Sequence, residues 1–397
     1  MKRLKIIQTT TRMTLLATAV LALSGVVYAA DNTPIKIGVL TELTGPFASV
    51  GVYLRRTVEA YTKAANARGG LDGHPIELVV IDTQSKVELA VAGMRKLAND
   101  DQVHAVVCCS TSPISLAVKP VSKQLKIPVI ATGTAADVVS PPDQAQWIFR
   151  PNLGQETGLR IQLQSLKSAG IKNVAFLGVN NAFGTFPAKL METLAPEYGI
   201  TTTGTQFFEV TATDVKSQLA LLQATKPDAI IVWAVGPAAT LISKNAQELA
   251  MKTKVYHSMG AANAEFIRDG GTAVEGNFVS GTLAMVPIQA LPKNNPAYNP
   301  VKEYNDAWMA AFNTTGDEFG RTLWDGMNLI SLAVKAKKPD LTKVEESRAA
   351  IRDGIEGVRN YVGIGGTFNM TPEDHSGLGN KGGAMLQIKD GKFVLVQ

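Results

Sequence analysis

The residues best suited to chemistry in this chain are small and hydroxyl-bearing, and they recur where short apolar runs end. Three stretches carry them: LTGPFASVG (Leu43–Gly51), CCSTSPIS (Cys108–Ser115) and ATGTAAD (Ala131–Asp137). Each follows a β-branched run and opens onto a helix. Helix N-termini carry unpaired N–H groups and the positive end of the helix dipole. Small residues let that backbone approach a ligand, and Ser or Thr hydroxyls add donors, so such a mouth suits a carboxylate. Taken singly, any of these hydroxyls reads equally well as a helix cap. Three such loops after three strands of one sheet favour a shared mouth, because ligands of open parallel sheets sit beyond the carboxyl ends of the strands.

Enzyme signatures are missing. The run into Thr41-Glu42-Leu43-Thr44-Gly45-Pro46 lacks the G-x-G-x-x-G that brings backbone up to a pyrophosphate, and G-x-x-x-x-G-K-[ST], G-x-S-x-G and H-E-x-x-H are absent. His74, His104, His257 and His375 have no ligand spacing and are expected as surface or loop residues, with neither metal nor cofactor. Cys108 and Cys109 are adjacent. Bonded cysteines usually sit farther apart than the ~3.8 Å between neighbouring Cα atoms. They are therefore expected as small buried residues at a strand end, without a redox role. Binding, not catalysis, is the expected activity.

These loops need strands and helices to hold them. Ile35–Leu40, Ile76–Ile81, Val103–Val107 and Pro128–Ala131 read as strands, alternating with helices over Val50–Arg68, Glu88–Asn99 and Pro113–Gln124. After Phe149-Arg150-Pro151 the rhythm restarts. Helices over 155–169, 185–197, 215–224 and 237–250 alternate with strands over 174–177, 203–208, 229–233 and 254–257. The fold class is α/β, with parallel, doubly wound sheets in two similar lobes. A helical section follows over 300–312, 322–334 and 344–353, and a hairpin turns at Asp390-Gly391. The four prolines of Pro287–Pro300 mark an irregular surface connection.

The first thirty residues read differently. Lys2, Arg3, Lys5 and Arg12 precede an uncharged run from Met13 to Val27, which ends at Val27-Tyr28-Ala29-Ala30. This is the pattern of a secretory signal peptide cleaved after Ala29, with no cysteine nearby to take a lipid. The run is short of the roughly 20 residues a spanning helix needs. Those four cations belong to the 39 basic residues of the whole chain, so the remainder carries 35 against 34 acids, a net of +1. That balance gives no footprint for nucleic acid. A periplasmic location is expected.

IKIGVLTELTGPFASVG, GGLDGHPIELVVIDTQS, PVSKQLKIPVIATGTAAD, WIFRPN and NVAFLGVNNAFG, in this order after a signal peptide, resemble the leucine/isoleucine/valine-type periplasmic binding proteins of ABC importers. The resemblance spans about Pro34 to Gln397. It implies two Rossmann-like lobes joined by three hinge crossovers, 34–150 with 284–361 and 151–283 with 362–397, closing on a ligand between them. It places the carboxylate-holding serine at Ser112 beside Thr111, with Gly133, Thr134 and Ala135 adding backbone to the same acid group. The second-lobe aromatic falls on Phe183, and the next loop near Val235-Gly236. The acid that pairs with an amino-acid ligand's ammonium falls on Ala262.

That departure weakens an amino-acid ligand, because a buried ammonium without a partner costs several kcal/mol; Glu265 is the nearest substitute. EFGRTLWDGM (318–327) and NMTPEDHSG (369–377) look more like the branch of the family that binds aromatic carboxylates. The expected ligand is a carboxylate with an uncharged body, such as a benzoate or an aryl-oxoacid. Phe47, Phe183 and Phe319 would wall the ring, and Arg321 would reach the carboxylate or pair across the lobes. The implied partner is an inner-membrane ABC permease met by a monomer. Amino-acid binding within the same transporter class, or a periplasmic sensor, are the alternatives.

Overall fold

The computed structural model describes residues 33–314, 316, 320–379 and 382–396, with the backbone of Glu318 and Phe319. The expected signal peptide lies outside the described residues, as does the side chain of Phe319. The first lobe alternates β1 (Ile35–Thr41), α1 (Ala48–Ala67), β2 (Ile76–Asp82), α2 (Val87–Asn99), β3 (Ala105–Cys108), α3 (Ser112–Leu125), β4 (Val129–Ala131) and β5 (Ile148–Phe149). Its strands pair in parallel in the order β2-β1-β3-β4-β5. Val39 stands opposite Val80 on one side and Val107 on the other. β3 and β4 are buried throughout, as strands covered on both faces must be.

The second lobe runs α4 (Gln155–Ser168), β6 (Asn173–Val179), α5 (Ala182–Glu197), β7 (Thr201–Phe208), α6 (Lys216–Ala224), β8 (Ala229–Trp233), α7 (Pro237–Glu248), β9 (Lys254–His257), α8 (Ala264–Gly270) and β10 (Phe278–Gly281). Then come α9 (Tyr298–Phe312), α10 (Glu318–Lys337), α11 (Val344–Glu356), the short pair β11 (Tyr361–Val362) and β12 (Thr367–Phe368), and the hairpin β13 (Ala384–Lys389) and β14 (Lys392–Leu395). The hairpin completes the second sheet, β14-β13-β10-β9-β8-β6-β7, by antiparallel pairing with β10.

Cores follow the sheets. One face of the first sheet packs on α2 and α3 through Met94, Leu97 and Val118. The other packs on α1, α9, α10 and α11 through Leu54, Trp308, Trp324 and Ile351. A third core, from Leu153 through Phe176 and Trp233 to Leu386, belongs to the second sheet. Ile364, Phe368, Met370 and Leu378 join the first-lobe core. Leu378 thus still packs with the first lobe, past the expected boundary at 362, while Ala384 begins β13 in the second sheet. Met370 N–H also bonds Val358 O, just after α11, at 2.9 Å.

Two expectations from single residues need correction. His104, His257 and His375 are 3%, 1% and 2% exposed, not surface residues. Their rings bridge distant segments. His104 Nδ1 accepts Lys36 N–H at 2.9 Å while Nε2 meets Leu341 O at 3.0 Å, and His375 Nδ1 meets the carbonyls of Ala145 and Ile148, both at 2.9 Å. Cys108 and Cys109 are buried as expected, but their sulfurs are bonded to each other. Cys109 has a φ of 100°. Among the described residues no helix is long and apolar enough to cross a membrane.

Candidate ligand-binding site

A cleft lies between the lobes. The first lobe contributes Phe47, Ser110, Thr111, Ser112, Pro113, Thr132, Thr134, Arg321 and Thr322; the second contributes Val179, Asn181, Phe183, Val210, Val235, Ala238, Met259 and Gly260. Asn152 and Leu153 line it from the first crossing.

The acid-binding end is built by β3 giving way to α3. Thr111, at the N-cap, is extended (φ −125°, ψ 150°) and makes no side-chain capping bond, and Pro113 sits in the first turn. The helix therefore presents uncapped N–H groups at the mouth. Ser112 Oγ accepts the N–H of Ala135 at 3.1 Å, which leaves the hydroxyl hydrogen to donate elsewhere. Thr134 Oγ1 is buried with no hydrogen-bond partner among the described residues. Arg150, 6% exposed, holds this loop from behind. It donates to Thr134 O and, at 2.8 Å, to Ser376 Oγ, and burial pushes its guanidinium down to about 10 against the opposing charge of Asp374.

The far wall is apolar. Phe183, 7% exposed, begins α5, where Asn181 Oδ1 caps its N–H at 2.9 Å, and its ring lies 6.1 Å from that of Trp233. Val179, Val210, Val235 and Met259 extend this wall. Charge is sparse: Arg321 is the one ionic side chain among the described residues lining the cleft, and no Asp or Glu joins it. Its counter-ion, Asp325 on the same helix, is 3.8 Å away and equally buried. Asp325 also accepts the N–H groups of Ile364 and Gly365 at 2.9 and 2.8 Å. A Cβ at Gly363 would stand 2.5 Å from Asp325 Oδ1, and one at Gly365 2.6 Å from Arg321 Nη1. Glycine there lets the backbone close on the ion pair.

A second pocket is lined by Ser49, Tyr53, Gly236, Asn263, Glu265 and Arg268 among others. Here Tyr53 Oη of the first lobe donates to Glu265 Oε1 of the second at 2.5 Å, with Arg268 3.8 Å from the same oxygen. Glu265 is thus engaged in an interlobe bond outside the cleft.

Of the residues expected at the site, Phe47, Thr111, Ser112, Thr134, Phe183 and Arg321 come together in the cleft. Gly133 and Ala135 do not line it. The N–H of Ala135 is taken by Ser112, and Gly133 is small because a Cβ there would meet Ser115 Oγ at 2.4 Å. Gly236 lines the second pocket, and Ala262 is 0% exposed and lines neither. Arg321 stands 3.8 Å from Asp325 of its own helix. Asn152, Asn181, Thr322 and Met259 were not anticipated. Asn152 ends the WIFRPN run and Asn181 precedes AFG, so both stood beside residues already singled out.

The profile of the periplasmic binding protein family matches residues 34–392. The Leu/Ile/Val-binding protein homolog 7 of Brucella melitensis is 24% identical over 380 residues, 92% of either chain. An extracellular ligand-binding receptor from Rhodopseudomonas palustris HaA2 superposes with a TM-score of 0.86 at 28% identity, covering 92% of this chain and all of that one. A solute-binding protein of an R. palustris ABC transporter, solved with benzoate, gives 0.76 at 19% identity, covering 91% and 95%, a likeness of fold alone. The chain belongs to the periplasmic binding protein family.

Proposed function

We propose that this protein is the solute-binding receptor of an ABC importer, and that it takes a small carboxylate with an uncharged, preferably aromatic, body. The signal-peptide pattern supports export to the periplasm, where the receptor hands its cargo, as a monomer, to permease subunits in the inner membrane. The observation that carries the ligand class is the charge of the cleft: one guanidinium, Arg321, and no carboxylate among its described lining residues. An amino-acid ligand brings an ammonium that finds no counter-charge there, and desolvating it uncompensated costs several kcal/mol. A carboxylate instead meets the uncapped N-terminus of α3, the Ser112 hydroxyl and Thr134 Oγ1, with Phe47, Phe183, Val210 and Met259 around its body. A thermal-shift screen of the mature protein against aromatic carboxylates and against amino acids tests this. Ligands that bind the folded state raise the midpoint. Stabilisation by aryl acids is expected; stabilisation by leucine and its relatives alone would overturn the ligand class.

A further inference from the structure

Behind the hydroxyl loop lies a carboxyl that does not itself line the cleft. Glu42 follows β1 directly and is 0% exposed. Its Oε2 accepts the N–H of Ser110 at 3.0 Å and the Thr41 hydroxyl at 3.3 Å; its Oε1 is buried with no partner among the described residues. Ser110 does line the cleft. We propose that Glu42 is a positioning residue for the ligand's acid group, acting through Ser110 in its protonated form, so that carboxylate binding is coupled to proton uptake. This rests on the carboxylate reading above.

Among the described residues, no cation is recorded beside Glu42. The first turn of α1 packs on it through Gly51, where a Cβ would stand 1.9 Å from Glu42 O, and the β3–α3 loop presents Cys109, Ser110 and Thr111, all uncharged. On the other side of its own loop Asp82, a like charge, accepts the N–H groups of Leu43 and Thr44 at 2.8 and 3.3 Å. Arg321, across the cleft lining on α10, is paired with Asp325. Burial raises Glu42 above the ordinary glutamate value, against the opposing pull of its bonds from Ser110 and Thr41.

Ser110 has a single hydroxyl hydrogen. An ionised Glu42 draws that hydrogen toward itself and sets a second negative charge behind the one arriving in the cleft. A neutral Glu42 has a proton to offer Ser110 Oγ, which is buried without a hydrogen-bond partner among the described residues, and the Ser110 hydrogen is then left for the ligand. Two carboxyl groups sharing one hydroxyl are best accommodated when one keeps its proton.

Calorimetry with benzoate and 3-phenylpropionate, in two buffers of different ionisation enthalpy, counts the protons taken up. Above about pH 5.5 both probes are ionised. The wild type is expected to take up a proton, and its Kd to rise by up to about tenfold per pH unit through the range where Glu42 titrates. Glu42→Gln, neutral at every pH, is expected to flatten this profile and abolish the uptake. Binding without proton uptake, or uptake retained in Glu42→Gln, would overturn this inference and leave the carboxylate reading standing. Failure of both probes to bind would overturn the two together. Should Glu42→Gln not fold, the proton count on the wild type decides alone.

Discussion

Ser112 Oγ and the backbone nitrogen of Ala135 are joined at 3.1 Å, which ties the start of α3 to the loop after β4. One hydroxyl thereby holds two of the mouth's loops together and still has its hydrogen to give. Ser112→Ala removes both services. Carboxylate binding is expected to weaken by about 1–3 kcal/mol, and the unpaired buried N–H of Ala135 to lower stability by a similar amount. Calorimetry and denaturant unfolding of the same variant separate the two losses; unchanged affinity would remove Ser112 from the site.

Arg321 and Asp325 connect the cleft to the 363–366 backbone. Arg321→Met leaves a buried carboxylate without that cation, a change that typically costs about 3–5 kcal/mol. Denaturant midpoints should show this loss, and binding of 3-phenylpropionate should fall more than tenfold. Arg321→Met with full stability would mean that Asp325 is satisfied without the guanidinium.

Ala262 occupies the position where relatives of the amino-acid type were expected to carry an acid, yet here it is wholly enclosed and away from the cleft. Ala262→Glu is therefore expected to destabilise the fold by burying a charge, not to create leucine binding. A stable variant that binds leucine would show that this segment opens toward the ligand.

His257 sits at the end of β9, bonded to Ser243 Oγ at 3.0 Å, and burial pushes its imidazole down to about 3. The unfolded chain takes up that proton near pH 6.5 and the folded chain does not, so stability is full above about 6.5 and declines as pH falls toward 3, by about 1.4 kcal/mol per unit. At pH 4.5 the loss amounts to roughly 3 kcal/mol. His257→Gln should flatten this acid limb in denaturant titrations; an unchanged slope would mean that other groups drive it.

The alternation of strands and helices was legible because buried parallel strands need β-branched runs and their helices need an apolar stripe. The mouth was legible for a related reason: Ser112, Thr134 and Phe183 stand where strands end. What escaped depends on partners far along the chain. His104 is buried because carbonyl and amide groups at Leu341 and Lys36 meet its ring, and nothing local to His104 announces them. Ile364 and Gly365 donate to a carboxylate far back on α10, in bonds spanning 39 and 40 positions. The boundary expected at 362 has the same origin, since Phe368 and Met370 are held in the first-lobe core by residues elsewhere in the chain, Met370 N–H bonding Val358 O at 2.9 Å.

A cleft that takes an acid and offers an ammonium no partner should tell apart ligands that differ only in that ammonium. Matched pairs isolate that one group: 3-phenylpropionate against phenylalanine, and 4-methylpentanoate against leucine, each pair alike but for the α-ammonium. Titration calorimetry of the mature protein with all four is the most direct measurement. The account predicts that the ammonium-free member of a pair binds at least tenfold more tightly. Tighter binding of phenylalanine or leucine would contradict it, and would mean that a carboxylate such as Glu265 leaves Tyr53 to meet the ligand.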